Sequence, residues 1–134
     1  MTKKEVTQLS FEVVNSAIRV HKELGPGLLE NVYQECMEYD LERRGFQIES
    51  QKIIPISFEG LNTSSILRVD LFVENTIVVE LKSVDHLLQV HTAQLLTYMR
   101  LLKAPQGLLI NFYVDKITNG YKPYVNNFFN ELPD

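Results

Sequence analysis

The sequence predicts an α/β fold in which helices flank a mixed β-sheet. Two segments with the helical spacing of apolar residues open the chain, at 7–24 and 28–44. A hairpin pattern follows at 67–83. A further helical segment at 85–103 then leads into the apolar run GLLINFYV at 107–114. Because this run is apolar at nearly every position, we expect a strand that is buried on both faces and lies beside a helical crossover.

Glycine and proline mark the ends of several of these elements. Gly25-Pro26-Gly27 separates the two N-terminal helices, and Gly45 is expected to cap the second helix at its C-terminus. The stretch 46–59 has the composition of a strand, and Pro55 restricts it to a sheet edge or places a bulge there. The expected order is helix, helix, three strands, helix and strand. We assign no secondary structure to the aromatic, Asn-rich segment 115–134.

The length of 134 residues predicts a single domain, 1–134, with a core large enough to fold without disulfides. Cys36 is the only cysteine, so an internal disulfide and a thiolate metal cluster are excluded, and we expect a cytoplasmic protein. We expect no membrane partner, because no apolar run is long enough to cross a bilayer, and the N-terminus lacks the apolar core of a secretion signal. The net charge of −4 argues against a broad basic surface for nucleic acid but leaves room for a local basic groove.

The hairpin pattern at 67–83 is the stretch around which the chain is organised, and its register decides which side chains face each other. A two-residue loop at 74–75 would set Val69 opposite Glu80, which mixes an apolar with a charged position. A three-residue loop at 74–76 keeps the apolar positions of both strands together, because residues opposite each other share a face. We therefore predict the three-residue loop.

This register gives the hairpin one apolar and one charged face. The apolar face is expected to carry alternate residues of both strands: Leu67, Val69, Leu71, Val73, Ile77, Val79 and Leu81. On the charged face, Asp70 lies opposite Glu80, and Arg68 lies opposite Lys82. Two carboxylates about 4.5 Å apart repel by about 4 kcal/mol at an effective dielectric constant of about 20. A divalent cation, the nearby basic side chains or a proton held on one acid would offset this repulsion.

Two interpretations of the paired acids stay open at this point. A divalent-cation site is one, since Mg²⁺ prefers one or two carboxylates together with water and substrate phosphates. A solvated strand face with mixed charges is the other, because exposed charges on strands are common. Elsewhere, the helix dipole explains Glu30 in the first turn of the second helix, and core packing explains Tyr33 one turn later.

The order of elements and the spacing of the acids resemble the PD-(D/E)XK nuclease superfamily, whose core is a helix, a three-stranded meander, a helix and a strand. The superfamily motif has an Asp on the second strand and Glu-x-Lys on the third, which here correspond to Asp70 and to Glu80-Leu81-Lys82. Val69 stands where the superfamily name has Pro. A second motif, GLLENVY at 27–33, is similar to the GxxExxY signature of a small bacterial family within this superfamily. The remaining similarity to that family lies in HTAQ at 91–94, Tyr98 and GLLINF at 107–112.

The resemblance implies a nuclease-like core of the order α-α-β-β-β-α-β and assigns a role to individual residues. Glu30, Asp70 and Glu80 would be the acidic metal ligands, joined by the backbone carbonyl of Leu81, and the ion would be Mg²⁺ or Mn²⁺. Lys82 would orient or activate the attacking water, or stabilise the pentavalent phosphate. The catalytic set would therefore be Glu30, Asp70, Glu80 and Lys82. The substrate-binding or supporting positions would be Tyr33, His91, Gln94 and Tyr98.

The resemblance also implies hydrolysis of phosphodiester bonds in nucleic acid, with DNA expected over RNA. It leaves a homodimer open, because many members of the superfamily act as dimers. One alternative is a catalytically silent, nuclease-like module that binds nucleic acid or a protein partner. The small size of the chain favours this alternative, whereas the complete set of acids together with Lys82 disfavours it. Another alternative is a hydrolase that uses two carboxylates without metal, as glycosidases do, but a Lys beside the acids disfavours it.

Overall fold

The structure, a computed structural model, describes residues 1–134. Its helices and strands confirm the expected order of the main elements and add several short ones. In chain order they are α1 (Lys3–Leu24), α2 (Glu30–Arg43), β1 (Ile48–Ile54), β2 (Ser57–Phe58), β3 (Leu61–Asn62), β4 (Leu67–Val73), β5 (Ile77–Lys82), α3 (Gln89–Leu101), β6 (Gln106–Asn111), β7 (Tyr121–Val125) and α4 (Asn127–Asn130). No helix has the length and apolar character needed to cross a bilayer.

Five of the strands form one mixed sheet in the order β1-β4-β5-β6-β7. All neighbouring strands are antiparallel except β5 and β6, which run parallel and are joined by the crossover through α3. Every residue of β6 is buried, as expected for a central strand that is covered on both faces. The predicted α/β fold with a mixed sheet flanked by helices is therefore confirmed.

Two apolar clusters hold the helices against the sheet. The cluster on the α1 and α2 side includes the sheet residues Leu71, Val73, Ile77, Val79, Leu81, Leu108 and Ile110. The cluster on the α3 side includes Val69, Phe72, Val78 and Leu109 from the sheet, with Leu95 and Met99 from the helix. Alternate residues of β5 and β6 thus face opposite layers, because side chains alternate along a strand.

Several boundaries differ from those expected. Helix α1 begins at Lys3 rather than near residue 7, because Thr2 forms a capping box: its hydroxyl accepts from the Glu5 N–H at 3.1 Å, and the Glu5 carboxylate accepts from the Thr2 N–H at 3.1 Å. Helix α3 begins at Gln89 rather than at residue 85. The segment 115–134, which gave no assignment, supplies the edge strand β7 opposite β6. Pro123 interrupts the strand pattern of β7 in the sequence and is tolerated there because the strand has a free edge.

The hairpin has the predicted register, with Val73 opposite Ile77 and Leu71 opposite Val79. The expectation that Leu67 and Val69 share a face with Leu71 and Val73 is wrong. Leu67 and Val69 pack on the α3 side, whereas Leu71 and Val73 pack on the α1 and α2 side. The change of face lies at Asp70, where the ladder between β1 and β4 is also interrupted: Gln51, the residue facing Asp70, is absent from the pairing and has a φ of 52°. A left-handed backbone at a residue other than glycine is uncommon and marks local strain.

Candidate active site at the end of strands β4 and β5

Asp70 lies where the two strands of the hairpin separate. The ladder between β4 and β5 ends with the pair of Leu71 and Val79, one position before the acids. Beyond it, the Leu81 N–H donates to Oδ2 of Asp70 at 2.8 Å. The Gln51 side-chain amide reaches Oδ1 at 3.4 Å from the left-handed position on β1. The Asp70 carboxylate therefore replaces a backbone acceptor and is fixed against β5.

Glu80 is the most perturbed acid of the site. Its residue is only 6% exposed. Burial and, second, the charge of Asp70 raise the pKa of Glu80 to about 9, although the Lys82 charge opposes this shift. Without a cation, Glu80 is consequently protonated at neutral pH. Its Oε1 atom is buried and has no hydrogen-bond partner, which is costly for a polar atom and calls for an explanation.

The donors at this position suit a hard divalent cation. Two carboxylates, one of them with a buried and unsatisfied oxygen, are the kind of ligands that Mg²⁺ and Mn²⁺ prefer. A cation between the acids would satisfy that oxygen and remove the repulsion that raises the Glu80 pKa. The structure contains no group of three or more His, Cys, Asp or Glu side chains close enough to share one ion, so Glu30 does not join Asp70 and Glu80 in a closed triad.

Glu30 is the first residue of α2, and the loop before it is held by Tyr33. Tyr33 is completely buried, and its hydroxyl donates to the Gly25 carbonyl at 2.6 Å and accepts from the Leu28 N–H at 3.0 Å. Its ring stacks on Phe112 with centroids 4.1 Å apart and an interplanar angle of 11°. Tyr33 therefore fixes the Gly25–Leu28 loop, and with it the start of α2, while its side chain is out of reach of a substrate.

Helix α3 places His91 and Tyr98 near the acids. The Leu88 N–H donates to Nδ1 of His91 at 3.1 Å, so Nε2 carries the proton of the neutral ring. Burial and then the Lys82 charge lower the pKa of His91, against the effect of Glu30, and so favour the neutral imidazole. Burial and then the charges of Glu80 and Asp70 raise the pKa of Tyr98. His91 is thus within electrostatic range of Lys82 and Glu30, and Tyr98 is within range of Glu80 and Asp70.

The remaining site predictions have less support from contacts. Lys82 is half-buried and forms no ion pair, although its charge acts on both Glu80 and His91. Gln94 is exposed on α3 and makes no side-chain hydrogen bond. Gln51 received no role from the sequence, although it contacts Asp70 and also donates to Oε1 of Gln34 at 2.7 Å. Nothing in its sequence context indicates the left-handed backbone that brings it there.

Asn111 is a second residue whose role the sequence did not reveal. It is 4% exposed, and its side chain binds both backbone groups of Val84, at 3.1 Å through Oδ1 and at 2.8 Å through Nδ2. The same Oδ1 accepts from the Tyr113 N–H at 3.2 Å. A polar residue at the end of the apolar run GLLIN was the available signal, because a buried amide needs hydrogen-bond partners.

Comparison with known proteins gives one match. A family model described as the PD-(D/E)XK nuclease superfamily matches residues 7–123 of this chain. No curated protein and no solved structure matches it. The matched range contains all of the predicted site residues from Glu30 to Tyr98, as well as the whole sheet except the end of β7.

Proposed function

The chain belongs to the PD-(D/E)XK nuclease superfamily, and we propose that it hydrolyses phosphodiester bonds of DNA or RNA with the help of a divalent cation. The observation that carries this proposal is the buried, unpartnered Oε1 of Glu80 beside Asp70. A buried carboxyl oxygen without a hydrogen-bond partner is costly to keep in a core. A role as a cation ligand accounts for its presence between two layers of apolar side chains.

The proposed ligands of the cation, Mg²⁺ or Mn²⁺, are Asp70, Glu80 and the Leu81 carbonyl. Glu30, which forms no three-acid group with them in this structure, is proposed to join the set when the cation binds. When bound, such an ion lowers the pKa of a water molecule and neutralises negative charge on a phosphate. The chain prepares this position in two ways. The Leu81 N–H and Gln51 hold Asp70 in place, and the fixed loop before α2 holds Glu30 at the rim.

Lys82 has the role of stabilising charge in the proposed reaction. It forms no ion pair that would compete for its ammonium group, and it lies near enough to Glu80 to influence the pKa of that acid. A fixed cation aimed at a phosphate stabilises the negative charge that develops during hydrolysis. His91 is proposed to contact the substrate through its Nε2–H, since Nδ1 is already engaged with the Leu88 N–H. Tyr98 and Gln94 complete the α3 side of the site.

The proposal also covers the subfamily, the type of nucleic acid, the cellular location and the oligomeric state, which are more specific than the family match. The spacing of Gly27, Glu30 and Tyr33 supports membership of the bacterial GxxExxY family, because the Tyr33 hydroxyl holds the Gly25–Leu28 loop, which contains Gly27 and leads to Glu30. We propose DNA over RNA as the substrate and a cytoplasmic location for a chain with a single cysteine. We also propose a homodimer, and the only support for it is that many members of the superfamily act as dimers.

A catalytically silent module that binds nucleic acid is the second candidate. One observation favours it: no three acids lie close enough to share an ion. The test that separates the two is cleavage of labelled single-stranded and duplex DNA and RNA with Mn²⁺ or with EDTA. We expect wild type and Lys4→Ala, which changes an exposed lysine on α1, to cleave at least one substrate with Mn²⁺ only, and we expect Lys82→Ala to cleave none. Binding without cleavage of any substrate would favour the silent module.

A further inference from the structure

A cleft of about 430 Å³ lies beside the proposed catalytic residues. Its walls come from three loops: Gly27 to Glu30 before α2, Ser83 to Asp85 after β5, and Tyr113 after β6. Glu30 belongs both to this cleft and to the proposed ligand set, and Ser83 directly follows Lys82. Through Glu30 and through Ser83, the neighbour of Lys82, the cleft adjoins two of the residues proposed for catalysis.

Hydrogen bonds and stacking fix the three walls relative to one another. Asn111 binds the backbone of Val84 and of Tyr113, and the Phe112 N–H donates to the Lys82 carbonyl at 2.8 Å. The stack of Tyr33 on Phe112 connects the loop before α2 to the same strand end. The cleft is consequently formed before any ligand arrives, which reduces the entropy cost of binding.

The side chains of the cleft suit a nucleobase and do not suit a phosphate. Lys and Arg are absent from its lining, and Glu30 and Asp85 would repel an anion. Two large apolar groups stand open to solvent at the cleft instead, the side chains of Leu29 and Tyr113, whose residues are 73% and 49% exposed. A flat base stacks favourably on an aromatic ring, and carboxylates accept hydrogen bonds from base N–H groups.

From this arrangement we propose that the cleft holds one unpaired base of the substrate, stacked on Tyr113, next to the phosphodiester to be cleaved. A base in a duplex is paired and stacked on its neighbours, so entry would require a single strand or a base turned out of the helix. The proposal rests on the proposed nuclease function for the position of the strand. It adds that the substrate is single-stranded or locally opened nucleic acid.

The experiment measures binding rather than cleavage, by fluorescence anisotropy of labelled DNA at fixed ionic strength with Mg²⁺, before product forms. The probes are a short single strand, the matching duplex, and a set of strands with one abasic site moved along the sequence. The variants are Tyr113→Ala and Tyr113→Phe, with Tyr39→Ala as a control for an exposed tyrosine on α2 outside the cleft. Circular dichroism establishes that each variant is folded.

We expect wild type to bind the single strand more tightly than the duplex. At one position, an abasic site weakens binding to wild type, Tyr113→Phe and Tyr39→Ala by about tenfold, the loss typical of one base stacked on an aromatic ring. Tyr113→Ala binds the intact strand about tenfold more weakly and no longer senses that abasic site. Equal abasic effects in wild type and Tyr113→Ala, or equal affinity of wild type for single strand and duplex, would overturn the proposal.

The nuclease function and the base subsite can fail separately when this binding experiment is combined with the cleavage assay with Mn²⁺. Binding with the expected Tyr113 dependence but without cleavage would support the subsite and refute the nuclease function. Cleavage without any abasic position that depends on Tyr113 would refute the subsite and leave the nuclease function standing.

Discussion

The pKa of Glu80 gives the metal-free protein an unusual dependence of stability on pH. Folding raises this pKa from its ordinary value of 4.5 to about 9, through burial and the charge of Asp70. Between these two values the folded protein holds a proton that the unfolded chain releases. The free energy of unfolding therefore falls as the pH rises across this window, by up to about 1.4 kcal/mol per pH unit for one proton. Above the folded pKa the decrease ends.

Glu80→Gln is the perturbation that isolates this contribution, because the amide resembles the protonated carboxyl group and does not titrate. From about pH 6 to about pH 8, wild type should lose about 3 kcal/mol relative to Glu80→Gln. The contributions that both proteins share cancel in the comparison. Glu42→Gln, at an exposed position of α2, is the matched control and should follow wild type.

Urea denaturation with EDTA, followed by circular dichroism because the chain has no tryptophan, measures these free energies at each pH. The expected result is a gap between Glu80→Gln and wild type that widens steadily with pH. A gap that stays constant from about pH 6 to about pH 8 would refute the reasoning, since it would mean that Glu80 is ionised in the folded protein throughout that range.

Two further predictions concern polar side chains of α2, the ion pair of Asp40 with Arg19 on α1 and the hydroxyl of Tyr33 that holds the loop before Glu30. Asp40 is buried and accepts from Arg19 at 2.6 Å; although burial raises the pKa of Asp40, its hydrogen bond to Arg19, the Arg19 charge and its hydrogen bond to Arg43 hold it well below its ordinary value. Asp40→Asn should lose about 1–3 kcal/mol of unfolding free energy at neutral pH, and urea denaturation should show this loss shrinking as the pH falls below about 4. Tyr33→Phe should lower the free energy of unfolding by about 1–3 kcal/mol. It should also weaken Mn²⁺ binding and cleavage, because the position of Glu30 depends on the loop that the Tyr33 hydroxyl holds. Unchanged Mn²⁺ binding and cleavage would exclude Tyr33 as a positioning residue.

Alternation of apolar residues was enough to predict the hairpin and its register. The three-residue loop followed from keeping apolar positions together, and it brought Asp70 and Glu80 to the same end of the sheet. The change of face at Val69 could not be predicted, because it depends on the left-handed backbone of Gln51 on a strand distant in sequence. The local sequence pattern gives the periodicity of side chains along a strand. The change of face in β4 arises instead from contacts with a strand that is distant in sequence.

The supporting polar contacts were also hidden from the sequence. The spacing of Glu30 and Tyr33 indicated a common helix face, yet the hydroxyl of Tyr33 binds backbone groups of the preceding loop, which no periodicity encodes. The clamp formed by Asn111 joins segments 27 residues apart in sequence. Such contacts become visible only when the sheet order brings the ends of β5 and β6 together.

The most direct test of the metal site is a calorimetric titration of Mn²⁺ at about pH 7, in two buffers that differ in ionisation enthalpy. Metal binding to a carboxyl group displaces its proton. Because Glu80 is protonated in the metal-free protein, wild type should release about one proton for each ion bound. Glu80→Gln should bind Mn²⁺ far more weakly and release none. Failure of wild type to bind Mn²⁺, or equal binding and equal proton release by both proteins, would contradict a cation site at Asp70 and Glu80.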